Sequence, residues 1–215
     1  MNILIFGASG FLGGHIVHAL HGAGHRLTVG IRDTRRIDLD PATARILVGD
    51  LTDPEYIREA VAGQDAILFT AGRTWSPGTD PAEYWRSNVT LTRHFFRVIR
   101  GHREVRILFT SSLSTIGGTS WPVVLNESSG RAAVCQPRLN PYDLAKIECE
   151  QIALGAAAEG HDVVLLNPGL MLGPGATACG GLAPPFVALW VLLGKCPFFV
   201  DAQITFCDVR DVALG

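Results

Sequence analysis

The sequence predicts an α/β fold: a doubly wound parallel sheet with helices on both faces. Three observations carry that prediction. Short apolar runs alternate with helical patterns from Asn2 to Val209, and such alternation calls for right-handed βαβ crossovers. The first run, Ile3–Phe6, passes straight into Gly7, Gly10 and Gly13, and Leu12, Ile16, Ala19 and Ala23 then recur at helical intervals. Finally, the polar clusters fall where strands end, the edge at which such sheets bind ligands.

The glycine turn has a chemical reading. A Cβ there would hold the backbone away from a pyrophosphate, whereas bare N–H groups at a helix start attract the anion. A tight turn with no ligand also uses glycine. In a strand–turn–helix context, however, the spacing reads as a dinucleotide site formed by Gly7, Ser9, Gly10, Phe11, Leu12 and Gly13.

The remaining elements follow in order. Arg26–Ile31 alternates as a second strand ending at Arg32-Asp33, and Arg45–Val48 is a third ending at Gly49-Asp50-Leu51. Asp53 and Pro54 open a short helix to Ala62. Ala66–Thr70 is a fourth strand leading to Ala71-Gly72, and a long helix is expected from Pro81 to Arg100 between Asp80 and Gly101. Val105–Thr110 is the fifth strand, ending in Ser111-Ser112. Trp121–Leu139 is turn-rich. Asn140-Pro141-Tyr142-Asp143 then starts a helix running to about Glu159, with cap, proline and acid at the proper positions. Asp162–Asn167 is a sixth strand and Thr205–Val209 a candidate seventh.

Composition bounds the function. The 215 residues are 47% apolar, enough for the core of one domain spanning 1–215. A formal charge of -2 offers no electrostatic reason to expect nucleic acid or an anionic membrane as partner. Cys135, Cys149, Cys179, Cys196 and Cys207 are scattered, as expected of reduced thiols in a cytoplasmic protein. The seven histidines lack metal-ligand spacing, so no metal is expected. No basic n-region precedes the first strand, so no signal peptide is expected. Leu182–Gly194 contains Pro184 and Pro185 and is too short to span a bilayer; it reads as a helix over a pocket or an interface.

Tyr142 and Lys146 are the residues most able to do chemistry. Four positions apart, they share one helix face. Free tyrosine is too weak a base at neutral pH, and a nearby ammonium should favour its phenolate. The phenol could then exchange a proton with an alcohol or carbonyl while carbon exchanges hydride. Ser112, leaving the fifth strand, could hydrogen-bond the same substrate oxygen. Alone, the pair is better read as an ordinary half-buried tyrosine and a solvated lysine one turn later. With the glycine turn and a serine at a neighbouring strand end, the catalytic reading is preferred.

In order, GASGFLG, GDL at Asp50, TAG at Thr70, SNVTLT around Asn88, FTSSLSTIG, PYDLAK and NPGLMLGPG resemble the extended short-chain dehydrogenases/reductases, the NAD-dependent epimerase/dehydratase family. The likeness is nearest to the dihydroflavonol-reductase-like and sugar-epimerase-like branches. It covers essentially the whole chain and implies a Rossmann-type sheet. It also implies catalysis by Ser112, with Gly117 behind it, rather than Ser111. Tyr142 would be the acid/base, and Lys146 would lower its pKa and bind the nicotinamide ribose. Asp50 and Leu51 would meet the adenine; Thr70, Ala71 and Gly72 would pass near the cofactor; Pro168 and Gly169 would support the nicotinamide. Asn88 could be functional or a helix–sheet hydrogen bond. Family members usually continue beyond the Phe206–Ala213 segment, so the resemblance leads one to expect a fragment or the absence of part of the substrate lid, with residues 170–204 contributing to an incomplete substrate-binding lobe.

Arg32 bears on cofactor choice. An acid near the end of the second strand binds a ribose 2′-hydroxyl, whereas arginine accommodates a 2′-phosphate. Arg32 comes first, then Asp33, Arg35 and Arg36, which favours NADP. An inward Asp33 would instead give an NAD site. The expected activity is hydride transfer between nicotinamide and a carbonyl or secondary alcohol of a small-molecule substrate. Alternatives are an NAD-dependent nucleotide-sugar epimerase/dehydratase and a non-catalytic dinucleotide-binding protein. Trp75, Ser114, Asn126–Glu127 and Leu170-Met171 could line a pocket or simply pack locally. The two long helices could form a homodimer interface or only cover the sheet.

Overall fold

A computed structural model describes residues 1–36, 39–40, 42–118, 124–126, 139–175, 193–195 and 205–215. Strands β1 (Asn2–Phe6), β2 (Arg26–Ile31), β3 (Arg45–Val48), β4 (Ala66–Phe69), β5 (Arg106–Thr110) and β6 (Val163–Leu166) form one sheet in the order β3-β2-β1-β4-β5-β6. Every pairing is parallel, so all six carboxyl ends lie along one edge. Strand order reverses between β1 and β4, whose flanking loops therefore diverge and leave a crevice.

Helix α1 (Phe11–Gly22) covers one face. Leu12, Ile16 and Val17 pack there with Ile3, Ile5, Leu27, Val29 and Ile31. The opposite face is covered by α2 (Pro54–Val61), a rod over residues 81–98, and α5 (Pro141–Ala158). Its centre is aromatic: Phe69 stacks on Phe109 at 5.4 Å and meets Phe95 at 4.7 Å, with Phe6 edge-on to both Phe69 and Phe95. Burying such rings supplies much of the hydrophobic driving force. The exposed ion pairs joining the rod to α5, Arg93–Glu148 and Arg100–Glu159, add little by comparison.

The expected helix from Pro81 to Arg100 is not uniform. It consists of α3 (Pro81–Tyr84), a π-helical stretch (Trp85–Thr90) and α4 (Leu91–Val98). The buried residues explain the wider turn, because Tyr84 and Val89 face the core five positions apart. Thr205–Val209 contains the candidate seventh strand, though outside the main sheet. Within it β8 (Phe206–Asp208) pairs, parallel, with β7 (Leu170–Leu172) in a separate sheet, and β7 was not anticipated as a strand. Helix α6 (Val209–Leu214) follows and packs against α1. Asp53 caps α2 through the Glu55 amide, as expected. The Trp121–Leu139 excursion and Leu182–Gly194 lie largely outside the described residues, as do Cys135, Cys179 and Cys196; Cys149 and Cys207 are free thiols. Among the described residues, no helix is long and apolar enough to cross a membrane.

Packing of α1 on the β1 turn depends on Gly13. A Cβ there would overlap the Gly7 carbonyl and approach Ala8 Cα to 2.8 Å. At Gly14 the nearest atom would be 3.8 Å away. Gly13→Ala should therefore cost about 1–3 kcal/mol in a denaturant titration. Gly14→Ala, inside the same helix, should gain about 0.5–1 kcal/mol.

Candidate active site

The sequence-predicted residues come together along the carboxyl edge. Gly7 follows β1 with φ +91°, and a Cβ on it would lie 2.5 Å from Thr70 Oγ1 and 2.7 Å from the Ala71 nitrogen. The loops after β1 and β4 thus meet backbone to backbone at the strand-order reversal. Thr70 secures the approach by donating its hydroxyl to the Phe6 carbonyl at 2.8 Å. Gly10 is the N-cap of α1, its nitrogen 2.9 Å from the Gly7 carbonyl, and the first turn carries neither a capping side chain nor an acid. Ser9 and Gly10 are exposed, while Leu12 and Gly13 are buried beneath them. A cradle without side chains, floored by a helix start, fits the pyrophosphate of a dinucleotide.

Arg32 is exposed beyond β2 and belongs to no ion pair among the described residues. Asp33 is engaged by Arg35, whose Nε and Nη2 donate to its two oxygens at 3.0 and 2.9 Å. Asp50 uses one carboxylate oxygen to accept from the Thr52 amide, and Leu51 is buried in the core. Pro168 borders a small apolar cavity with Leu12, Ile16, Thr70 and Val212. Gly169 lies so near Thr205 that a Cβ would come within 2.8 Å of its carbonyl. A larger surface cleft of about 560 Å³, between β3 and α2 around Gly49, Tyr56 and Glu59, contains none of Ser112, Tyr142 or Lys146.

The start of α5 is held by a capping box. Asn140 accepts from the Asp143 amide at 3.0 Å, and the Asp143 carboxylate accepts from the Asn140 amide. Tyr142 consequently projects from the first turn, edge-on to Tyr84 at 5.9 Å. The Ser112 hydroxyl is the neighbour that favours its ionised form. Ser111 is 3% exposed and donates instead to Glu150, so Ser112 is the serine that faces the tyrosine.

Lys146 reverses one expectation. Its ammonium is buried over the Phe109 ring and donates to the Thr110 carbonyl at 2.8 Å. Burial pushes its pKa down. Burial likewise pushes the Tyr142 phenol up, opposed by the neighbouring Ser112 hydroxyl. The lysine charge was expected to favour phenolate, but desolvation dominates and Tyr142 is a protonated phenol at neutral pH.

Asn88 has a structural role. Its Oδ1 accepts from the Arg73 amide at 2.9 Å, and its Nδ2 donates to the Arg73 and Tyr84 carbonyls. It therefore fastens the loop carrying Ala71 and Gly72. Of the suggested pocket residues, Trp75 is exposed, Ser114 donates to the Ser112 hydroxyl at 3.0 Å, and Leu170-Met171 belong to β7. Asn126 is exposed, and Glu127 lies outside the described residues. Sequence reasoning missed Glu150, Thr115 and Asn167, which join behind Ser112. Only the four-residue step from Lys146 to Glu150 could have signalled that the acid shares the Tyr142 face.

Comparisons with known proteins agree with this architecture. The chain is 28% identical to cinnamoyl-CoA reductase 1 of Arabidopsis thaliana, over 99% of its own length and 64% of the relative's. The crystal structure of gox2253 superposes with a TM-score of 0.81 at 27% identity, covering 98% of this chain and 63% of that one. UDP-glucose 4-epimerase from Brucella ovis, solved in complex with NAD, shares the fold with a TM-score of 0.75 at 22% identity, over 99% and 70% of the two chains. The chain spans about three fifths of the length of the curated relatives it matches. The profile of the NAD dependent epimerase/dehydratase family matches residues 3–215, the same interval that carries the glycine cradle and the Ser112–Tyr142–Lys146 group, and the chain belongs to that family.

Proposed function

We propose that this chain carries the cofactor site and proton-transfer group of an NADP-preferring oxidoreductase acting on a carbonyl or secondary alcohol. The observation that carries the reading is the protonated Tyr142 phenol beside the Ser112 hydroxyl, at the edge where the glycine cradle opens. Gly7, Ser9, Gly10, Phe11, Leu12 and Gly13 would hold the pyrophosphate. Asp50 and Leu51 would lie toward the adenine, Thr70, Ala71 and Gly72 along the dinucleotide, and Pro168 and Gly169 beside the nicotinamide. The cofactor, when bound, supplies or accepts the hydride. Ser112 donates a hydrogen bond to the substrate oxygen, and Tyr142 protonates that oxygen as carbon is reduced. Lys146, one turn along the same face of α5, would bind the nicotinamide ribose, with its bond to Thr110 fixing its place. Residues 170–204 are assigned to the substrate lobe.

The NADP preference rests on Arg32 and Asp33. Arg35 already engages the Asp33 carboxylate, which disfavours Asp33 as acceptor for a ribose hydroxyl and leaves the Arg32 guanidinium to grip a 2′-phosphate. An NAD-retaining nucleotide-sugar epimerase is the second reading, favoured by the fold shared with an epimerase–NAD complex.

Nicotinamide fluorescence titration checks the cofactor. NADPH should bind more tightly than NADH, and Arg32→Ala should weaken NADPH about 10- to 100-fold with little change for NADH. NAD retained through purification would overturn the preference and bring the epimerase reading forward. For the chemistry, Tyr142→Phe should lower NADPH-dependent carbonyl reduction by about 10²- to 10⁴-fold while leaving cofactor affinity intact. Unchanged turnover in that variant would remove Tyr142 from the mechanism.

A further inference from the structure

Behind the reacting edge lies a polar cluster that the proposed mechanism does not use. Tyr142, Lys146 and Glu150 occupy successive turns of one α5 face. The Oε2 atom of Glu150 accepts from three groups: Ser111 Oγ at 2.7 Å, Thr115 Oγ1 at 2.7 Å and Asn167 Nδ2 at 3.0 Å. These donors come from both sides of Ser112 and from the end of β6. Ser111 and Thr115 are buried, so a carboxylate drawn this far inward is not an ordinary solvated helix acid.

Counting protons shows how the cluster is ordered. A carboxylate only accepts, a hydroxyl has one proton to give, and the Asn167 amide has two. Thr115 Oγ1 lies 2.8 Å from the Ser112 carbonyl as well as 2.7 Å from Glu150. Its single proton is drawn to the charged acceptor, because charge-assisted bonds are the stronger. Asn167 Nδ2 is 2.8 Å from Thr115 Oγ1 and 3.1 Å from the Ser112 carbonyl, so it can satisfy what Thr115 leaves. Further backbone bonds from Ser111 to Leu166 and from Leu113 to Pro168 tie the same turn to β6. Ser112 is consequently held on both sides and through its own carbonyl, while its hydroxyl stays directed outward to Tyr142 and Ser114.

We infer that Glu150 is a positioning residue: acting through Ser111, Thr115 and Asn167, it sets the turn that presents the Ser112 hydroxyl to Tyr142. The inference rests on the catalytic reading of Ser112 for its consequence, but not for the clamp itself. Glutamine can place a neutral acceptor oxygen where Oε2 lies. Alanine leaves all three donors without that acceptor.

Two measurements separate the clamp from the catalysis. Hydrogen exchange by mass spectrometry on the protein, Glu150→Gln and Glu150→Ala should show lost protection in Glu150→Ala confined to the Ser111–Gly117 segment, with recovery in Glu150→Gln. Unchanged exchange in Glu150→Ala, or loss spread over the whole sheet, overturns the clamp. Turnover is read with NADPH and 4-nitrobenzaldehyde. A displaced serine predicts kcat reduced about 10²-fold in Glu150→Ala, with KM for NADPH unchanged and substantial rescue by Glu150→Gln. Ser112→Ala combined with Glu150→Ala should be little slower than Ser112→Ala alone, because both changes remove one function. Multiplicative losses would overturn action through Ser112. A parent protein inactive with this aldehyde would count against the carbonyl-reductase reading, and exchange alone would then decide the clamp.

Discussion

The close approach of two backbones, Gly7 after β1 and Thr70-Ala71 after β4, is the constraint on which the rest of this structure depends. Parallel pairing brings both turns to one edge, and the reversal of strand order then opens the space between the helices that follow them. Side chains on either turn would close it. The Thr70 hydroxyl instead bonds the Phe6 carbonyl, so contact between the turns is made without occupying the cradle. Beneath it, Gly13 lets α1 settle on the Gly7 carbonyl, which aims the helix start at the opening. A local choice of residue thereby decides where a negatively charged ligand can lie.

The second half of the sheet builds the reactive group by a different device. Here backbone carbonyls and buried charges do the arranging. The Thr110 carbonyl holds the Lys146 ammonium, while the Ser112 carbonyl is held by Asn167. A lysine buried over Phe109 needs such a partner, because an unsolvated ammonium is costly. The same burial keeps Tyr142 protonated.

Much of this was legible in the sequence because its physics is local. The glycine turn, the Asp53 cap, the Asn140–Asp143 capping box and the six sheet strands each follow from neighbouring residues, and each is present. What escaped depends on distant partners. Glu150 looks like any helical acid until folding brings Ser111 and Asn167 to it. The raised pKa of Tyr142 required knowing how completely the phenol is buried, whereas sequence spacing showed only that a lysine was near. β7 was hidden for a related reason, since three residues acquire strand character only through pairing with Phe206–Asp208. The preference for Ser112 over Ser111 came from the family resemblance alone, since the inward direction of the Ser111 hydroxyl, toward Glu150, is not something adjacency can supply.

The π-helical stretch between α3 and α4 is a phase shifter. Each added residue turns a regular helix by about 100°, so the five-position step from Tyr84 to Val89 offsets the two ends of the rod. The leading end serves the loop after β4: Tyr84 Oη bonds both the nitrogen and the carbonyl of Ser76, and Asn88 holds Arg73. The trailing end serves the sheet through Phe95, Phe96 and Ile99. A regular helix could keep either grip, but it would rotate the other away from its target. One surplus residue thus lets a single rod answer to two surfaces that do not share its natural pitch.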